Sequence, residues 1–205
     1  MTPYRNWVTA LTVATVLVSR VLVKTGAGDP LDRAARDALA RPLGNRADVT
    51  IGAVTDLGSV YGLGGIAATL LVGGRRRAAL DSALAGSAAW IVAQSLKPTL
   101  DRPRPYQVDA AARLVSVPAG SSWPSGHSAV AAATATSLSP HLGPVSRSVA
   151  AAFVGTVAVS RLYVGVHHLT DVLAGVAVGH LCARVVRGVR RAIWGPRTRR
   201  PSAGR

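Results

Sequence analysis

Apolar residues gather into runs separated by short polar and basic segments, and the run lengths predict helices rather than strands. Residues 7–23 form the first run, about the shortest that crosses a hydrocarbon core. Residues 24–48 are mixed in charge, with Asp29, Asp32, Arg33, Arg36 and Asp37 set around Leu31, Ala35 and Leu39. That pattern predicts an amphipathic helix lying on the outer membrane surface, broken near Pro42 and Gly44. Residues 49–74 hold a second span, which the interruption Asp56-Leu57-Gly58-Ser59 shortens to 57–72, with Asp56 as the cap of its outer end. A third span is expected over 78–96. A loop rich in proline and charge (98–123) precedes a fourth helix at 127–138, a fifth at 148–160 and a sixth at 169–186. The fourth and fifth are short for lipid-exposed spans, so neighbouring helices must shield them.

The expected fold class is therefore all-α, a polytopic membrane helix bundle of about six transmembrane helices plus a short outer amphipathic helix. One domain is expected over residues 1–195, followed by a basic, disordered tail at 196–205. Composition agrees with helices packed in a membrane. Aromatic residues make up 4% of the chain, while Ala, Gly, Val, Ser and Thr fill the runs, and small residues let membrane helices approach closely. Trp7, Trp90, Trp123 and Trp194 read as interfacial anchors. The single cysteine, Cys182, cannot form a disulfide within the chain. The first run ends in Ser19-Arg20-Val21-Leu22-Val23-Lys24 without a small-residue cleavage site, and so reads as a retained span.

A net charge of +15 raises the question of nucleic acid, but the basic residues cluster just beyond apolar runs, at Arg75-Arg76-Arg77 and from Arg184 to Arg200. This is the positive-inside pattern of a multi-pass membrane protein, and no nucleic-acid recognition motif accompanies it. It predicts both termini on the cytoplasmic side of a cell membrane, with the loops at 97–125 and 161–171 facing outward. Asp56 and Asp81 fall near opposite helix ends, where capping or pairing with arginine accounts for them.

Three blocks carry chemistry, and the topology sets them all on the outer side. The first runs from Lys97 through Arg102 and Arg104 to Pro105; the second is Pro124-Ser125-Gly126-His127; the third runs from Ser160-Arg161 to His167-His168 and Asp171. Lys97, Arg104 and Arg161 form a cationic site suited to a phosphoryl group and its developing charge. Ser125 and Gly126 open a helix, where free N–H groups and the positive dipole end favour an oxyanion. His167 and Asp171 are four residues apart, so the carboxylate can hold one imidazole nitrogen and leave the other to attack phosphorus. His127 arrives on another helix with the chemistry of a general acid. His168 reads as interfacial packing or a secondary contact, His141 as a solvated loop residue and His180 as bundle packing, and no histidine–carboxylate set has the spacing of a zinc site.

Taken in order, Lys-x6-Arg-Pro, Pro-Ser-Gly-His and Ser-Arg-x5-His-x3-Asp resemble the three signature blocks of the phosphatidic acid phosphatase type 2 superfamily, which is related to the vanadium haloperoxidases. The resemblance implies a membrane lipid phosphatase that uses neither metal nor cofactor. It further implies that Lys97, Arg104 and Arg161 bind phosphate with help from Ser125 and Gly126. His167 would become a phosphohistidine, Asp171 would orient it, and His127 would be the general acid; Arg102 has counterparts in many members, with a less defined role. The implied partner is a lipid phosphate or diphosphate in the membrane, with a polyprenyl diphosphate as the first choice. Phosphatidic acid, phosphatidylglycerophosphate and phosphorylated polyprenyl sugars are the alternatives, and a non-catalytic transporter or scaffold is the rival of another class.

Overall fold

A computed structural model describes residues 3–108 and 113–194, which contain nine α-helices, two 3-10 turns and no strand among the described residues. The helices are α1 (Pro3–Thr25), α2 (Asp29–Leu39), α3 (Asn45–Asp56), α4 (Val60–Val72), α5 (Arg76–Leu96), α6 (Pro105–Val108), α7 (Gly126–Leu138), α8 (Pro144–Tyr163) and α9 (Leu169–Trp194). The all-helical expectation holds. The tail expected at 196–205 lies outside the described residues.

Helix α7 occupies the centre, with α9, α5 and α8 packed around it and α1 against α9. The core between them is mainly alanine: Ala85, Ala89 and Ala93 on α5, Ala129 and Ala133 on α7, and Val178 and Ala183 on α9. These recur every four residues along α5 and α7, so each helix turns one small-residue stripe inward. Contact between α7 and α9 is closer still, because two glycines bring backbone against backbone. A Cβ at Gly175 would stand 2.3 Å from the Ser125 carbonyl oxygen, and one at Gly179 would stand 2.1 Å from that of Ala129. This approach sets the start of α9 directly beside the start of α7, where the signature residues lie.

Length and composition alone qualify α1 (Asn6–Thr25), α8 and α9 as spans, with α3 and α4 together as a fourth, broken by a 66° bend. Helix α5 has 21 residues but falls below that apolarity, and α7 has 13, or roughly 20 Å at 1.5 Å per residue. The shortness of α7 is tolerable because Ser128 to Thr134 are all buried by neighbouring helices. The fifth and sixth helices are longer than expected. Helix α8 begins at Pro144, whose fixed φ suits a first turn, and α9 runs on to Trp194.

Several local expectations change. The segment after α2 is a separate helix, α3, and Asp56 ends it instead of capping the next one. Ser59 caps α4, accepting from the N–H groups of Tyr61 and Gly62. The face of helix α2 turned toward the protein is Asp32, Ala35, Arg36 and Leu39, while Leu31 is 49% exposed. Trp123 is fully buried, its Nε1 3.4 Å from Ser19 Oγ, so it packs in the bundle and anchors no interface. His141 is held by Asp81 at 2.8 Å, and Asp81 also pairs with Arg190, as expected for a carboxylate near basic helix ends. His180 packs in the bundle, with Nδ1 3.2 Å from Thr136 Oγ1.

The Asp81–His141–Arg190 cluster, with Arg75, Arg76 and Arg77 close to His141, marks one end of the bundle. The signature residues all lie at the other end. Sequence blocks separated by up to 74 positions, from Lys97 to Asp171, are thereby brought to one place by the up-and-down course of α5, α7, α8 and α9.

Replacing Gly179 by alanine tests the close packing, with Gly155→Ala as the control because a Cβ there meets nothing within 4 Å. Both changes gain helix propensity of about 1 kcal/mol, so the difference isolates the contact. We expect Gly179→Ala to be less stable than Gly155→Ala by about 1–3 kcal/mol, read as a lower thermal midpoint in detergent. Equal midpoints contradict the close approach.

Candidate active site

The loop between α5 and α7 is built around two arginines separated by a proline. Arg102 and Arg104 are 8% and 1% exposed, and both turn into the protein. Their backbone is fixed from the far side of the same loop: the Arg102 N–H donates to Ser121 Oγ (2.9 Å) and the Ser122 N–H donates to the Arg102 carbonyl (2.9 Å). Arg104 then donates to the carbonyls of Ala119, Gly120, Ser121 and Val166 at 2.9–3.2 Å. Lys97 Nζ, just past the end of α5, donates to Ala119 O at 3.3 Å. Arg161, in the last turn of α8 and 3% exposed, donates to Thr55 Oγ1 at 3.0 Å, while its Nε has no partner.

These three cations border one cavity of about 210 Å³, together with His127, His167 and Gly126. Ser59, Tyr61, Trp90 and Gln94 border the same cavity from α4 and α5. Tyr61 is 87% exposed and Trp90 41%, so the cavity is open on this side. A Cβ at Gly126 would meet no atom within 4 Å, so the residue faces open space. Ser125 is placed differently from a direct ligand. It is fully buried, and its hydroxyl caps α7 by accepting from the Ser128 N–H (3.4 Å) and hydroxyl (3.0 Å).

His167 sits in the short loop between α8 and α9, 4% exposed. Its Nδ1 faces Asp171 Oδ2 at 3.6 Å and its Nε2 lies 3.5 Å from Arg104 Nη1, on the cavity side. Burial is the main cause that pushes the imidazole down to about 3, with Arg161 adding to it and Asp171 working against it. The ring is therefore neutral at physiological pH, as a nucleophile must be. His127, the second residue of α7, has Nε2 4.0 Å from Asp56 Oδ1. Asp56, read from sequence as a helix cap, thus faces the candidate acid. Lys97 is pushed down to about 8, first by burial and then by repulsion from Arg104 and Arg161.

Arg102 does not border the cavity. It bridges two carboxylates, Nη1 to Asp171 Oδ1 and Nη2 to Asp32 Oδ2, both at 2.6 Å. Burial works against its charge, but Asp171 and Asp32 outweigh that and hold the guanidinium above its ordinary value. His168 makes the secondary contacts expected of it, Nε2 lying 3.3 Å from Pro103 O and its N–H donating to Asp171 Oδ2 at 2.8 Å. Two polar residues that bind the guanidinium groups of Arg102 and Arg161 were not foreseen from sequence. Asp32 on α2 meets Arg102, and Thr55 on α3, fully buried, meets Arg161 and Ser160. The inward face of α2, with Asp32, Ala35 and Leu39 at helical spacing, is the signal that could have revealed the first. Nothing local marks Thr55.

Paired histidines, a carboxylate behind one of them and three cations around one cavity are a set chemically suited to holding a phosphoryl group. The PAP2 superfamily profile matches residues 78–194, more than half of the chain and all of the signature blocks, and the chain belongs to that superfamily. It is a multi-pass, PAP2-type membrane lipid phosphatase. Among solved structures it is similar to a transmembrane PAP2-type phosphatidylglycerolphosphate phosphatase from Bacillus subtilis. That likeness has 26% identity and a TM-score of 0.75, over 92% of this chain and 98% of the other. It is also similar to LpxE of Aquifex aeolicus, with 26% identity and a TM-score of 0.68, over 78% of this chain and 93% of the other. No curated protein sequence matches the chain.

The lowered Lys97 gives a pH dependence with a definite sign. An amine that titrates near 8 in the free enzyme loses its charge as pH rises, so kcat/KM is expected to fall above about pH 8. Lys97→Arg, which stays charged, should carry kcat/KM flat through that range even if its absolute value is lower. A basic limb near pH 8 that persists in Lys97→Arg assigns that limb to another group.

Proposed function

We propose that the protein hydrolyses a phosphate ester or diphosphate of a membrane lipid at the outer face of the membrane, through a phosphohistidine on His167. The observation that carries this reading is the position of His167: neutral, with Nδ1 toward Asp171 and Nε2 toward the cation-lined cavity. In the first step Nε2 forms an N–P bond while the P–O bond to the lipid breaks, its electron pair leaving with the lipid oxygen. His127, with Asp56 at 4.0 Å, gives that oxygen a proton. Lys97, Arg104 and Arg161 hold the non-bridging oxygens. The first N–H groups of α7 add to this hold, with Ser125 as the cap that keeps the turn in place and Gly126 leaving room for the anion. In the second step His127, now neutral, takes a proton from water as it attacks phosphorus; the N–P bond breaks and inorganic phosphate leaves.

The three cations supply the charge that metal ions supply at other phosphoryl centres, which supports a metal-independent reaction. Sidedness follows from charge. Arg75–Arg77, Arg184, Arg187 and Arg191 lie at or near the end of the bundle opposite the cavity, and positive-inside bias assigns that end, with both termini, to the cytoplasm. As substrate we favour a polyprenyl diphosphate, because three cations match the charge of a diphosphate better than that of a monoester. The likeness to a phosphatidylglycerolphosphate phosphatase favours a second reading, in which the lipid is a glycerophospholipid phosphate.

Purified protein in detergent, offered a polyprenyl diphosphate, phosphatidylglycerophosphate, phosphatidic acid and a polyprenyl phosphosugar, is expected to release phosphate fastest from the first. Activity should survive EDTA. His167→Ala should lower kcat by about four orders of magnitude or more. Full activity in that variant contradicts the mechanism, and preference for phosphatidylglycerophosphate selects the second reading.

A further inference from the structure

Asp32 is the deepest carboxylate on the outer helices α2 and α3, 3% exposed, and its environment is built around the start of α9. Its Oδ1 accepts from the Thr170 N–H at 2.9 Å; its Oδ2 accepts from Thr170 Oγ1 at 2.9 Å and from Arg102 Nη2 at 2.6 Å. Arg102 in turn donates through Nη1 to Thr170 Oγ1 (2.7 Å) and to Asp171 Oδ1 (2.6 Å). Asp171 presents its other oxygen to His167 at 3.6 Å. A hydrogen-bonded path therefore runs from α2 through Arg102 to Asp171, whose carboxylate faces His167 Nδ1 at 3.6 Å without a hydrogen bond to it.

Two physical consequences follow. The first is charge. A guanidinium bound to Asp171 alone would neutralise it and weaken its hold on His167. With Asp32 on the other side of the guanidinium, the three buried groups carry a net negative charge, and Asp171 keeps an effective charge toward the imidazole. The second is geometry. The Thr170 N–H belongs to the first turn of α9, which has no acceptor within its own helix, and Asp32 satisfies it from another element. The turn that carries Asp171 is thus fixed by a residue about 140 positions earlier in the chain. Burying three charges is costly compared with apolar packing of the same volume, so their presence here is better explained by site geometry than by stability.

We propose that Asp32 is a positioning residue for the phosphatase reaction, holding the Asp171 carboxylate in place and charged through Arg102 and Thr170. The proposal rests on His167 being the nucleophile. It assigns to α2 a role in catalysis without contact to substrate, because Asp32 does not border the active-site cavity.

The test uses the full-length protein in detergent, with farnesyl diphosphate and dioctanoyl phosphatidic acid as probes and inorganic phosphate as a competitive inhibitor. Asp32→Asn is expected to lower kcat about tenfold or more, the scale seen when outer partners of a functional imidazole are removed. KM and inhibition by inorganic phosphate should stay within about a factor of three, because the cationic clamp is untouched. Thr170→Val, which removes one hydroxyl and keeps the backbone bond, should move kcat in the same direction by less. It decides the matter if Asp32→Asn does not fold. A kcat within about twofold of wild type in the folded variants, or kcat and KM changing together, overturns the proposal. Failure of the wild-type protein to hydrolyse either probe overturns instead the phosphatase reading on which it rests.

Discussion

Lys97, Arg104 and Arg161 share one cavity and repel one another, and the structure holds them there with neutral acceptors. Arg104 is bound by four backbone carbonyls, Lys97 by one and Arg161 by the Thr55 hydroxyl. A carboxylate in any of these places would hold its cation more firmly, but it would also compete with phosphate for it. The carboxylates Asp32 and Asp171 are instead gathered on Arg102, which does not border the cavity. This separation of a cavity-lining cluster left uncompensated from a pair of carboxylates set behind His167 accounts for two inward arginines so close together in the loop. Arg104 borders the cavity and Arg102 binds the carboxylates.

The rest of the fold keeps that arrangement in register. Alanine stripes and the glycines of α9 bring α5, α7 and α9 close enough for their ends to meet around a space of about 210 Å³. Ser125 links two of these ends directly, its N–H donating to the Asp171 carbonyl at 3.0 Å while its hydroxyl caps α7. The outer helices add links from the other side. Thr55 fixes Arg161, Asp32 fixes Arg102, and Tyr163 binds both Asp48 and the Leu43 N–H in the α2–α3 connection.

The signature blocks were legible in the sequence because their chemistry is local: Pro-Ser-Gly-His begins a helix, and His167 and Asp171 fall one helical turn apart. Their convergence in one cavity followed from alternating spans. Thr55 was not legible, because its partner lies 106 positions away and no spacing rule joins them; Asp32 was legible only as a position on the inward face of α2, its partner lying 70 positions away. Trp123 was misread because burial in a small-residue bundle has no local signature, and an interfacial role is the commoner one for tryptophan in membrane proteins. The bend between α3 and α4 was half legible. The break at Asp56–Ser59 was visible, but which of its polar residues capped the next helix depended on the direction the chain took, and Ser59 rather than Asp56 holds that position.

The proposed reaction turns on covalent phosphorylation of His167. Turnover of a lipid substrate labelled in its terminal phosphate, stopped in alkaline denaturant, tests it most directly, because phosphohistidine survives base and is lost in acid. A base-stable, acid-labile label is expected on the peptide that contains His167, and none in His167→Ala. Turnover without any labelled enzyme, or a label on His127 instead, would contradict it.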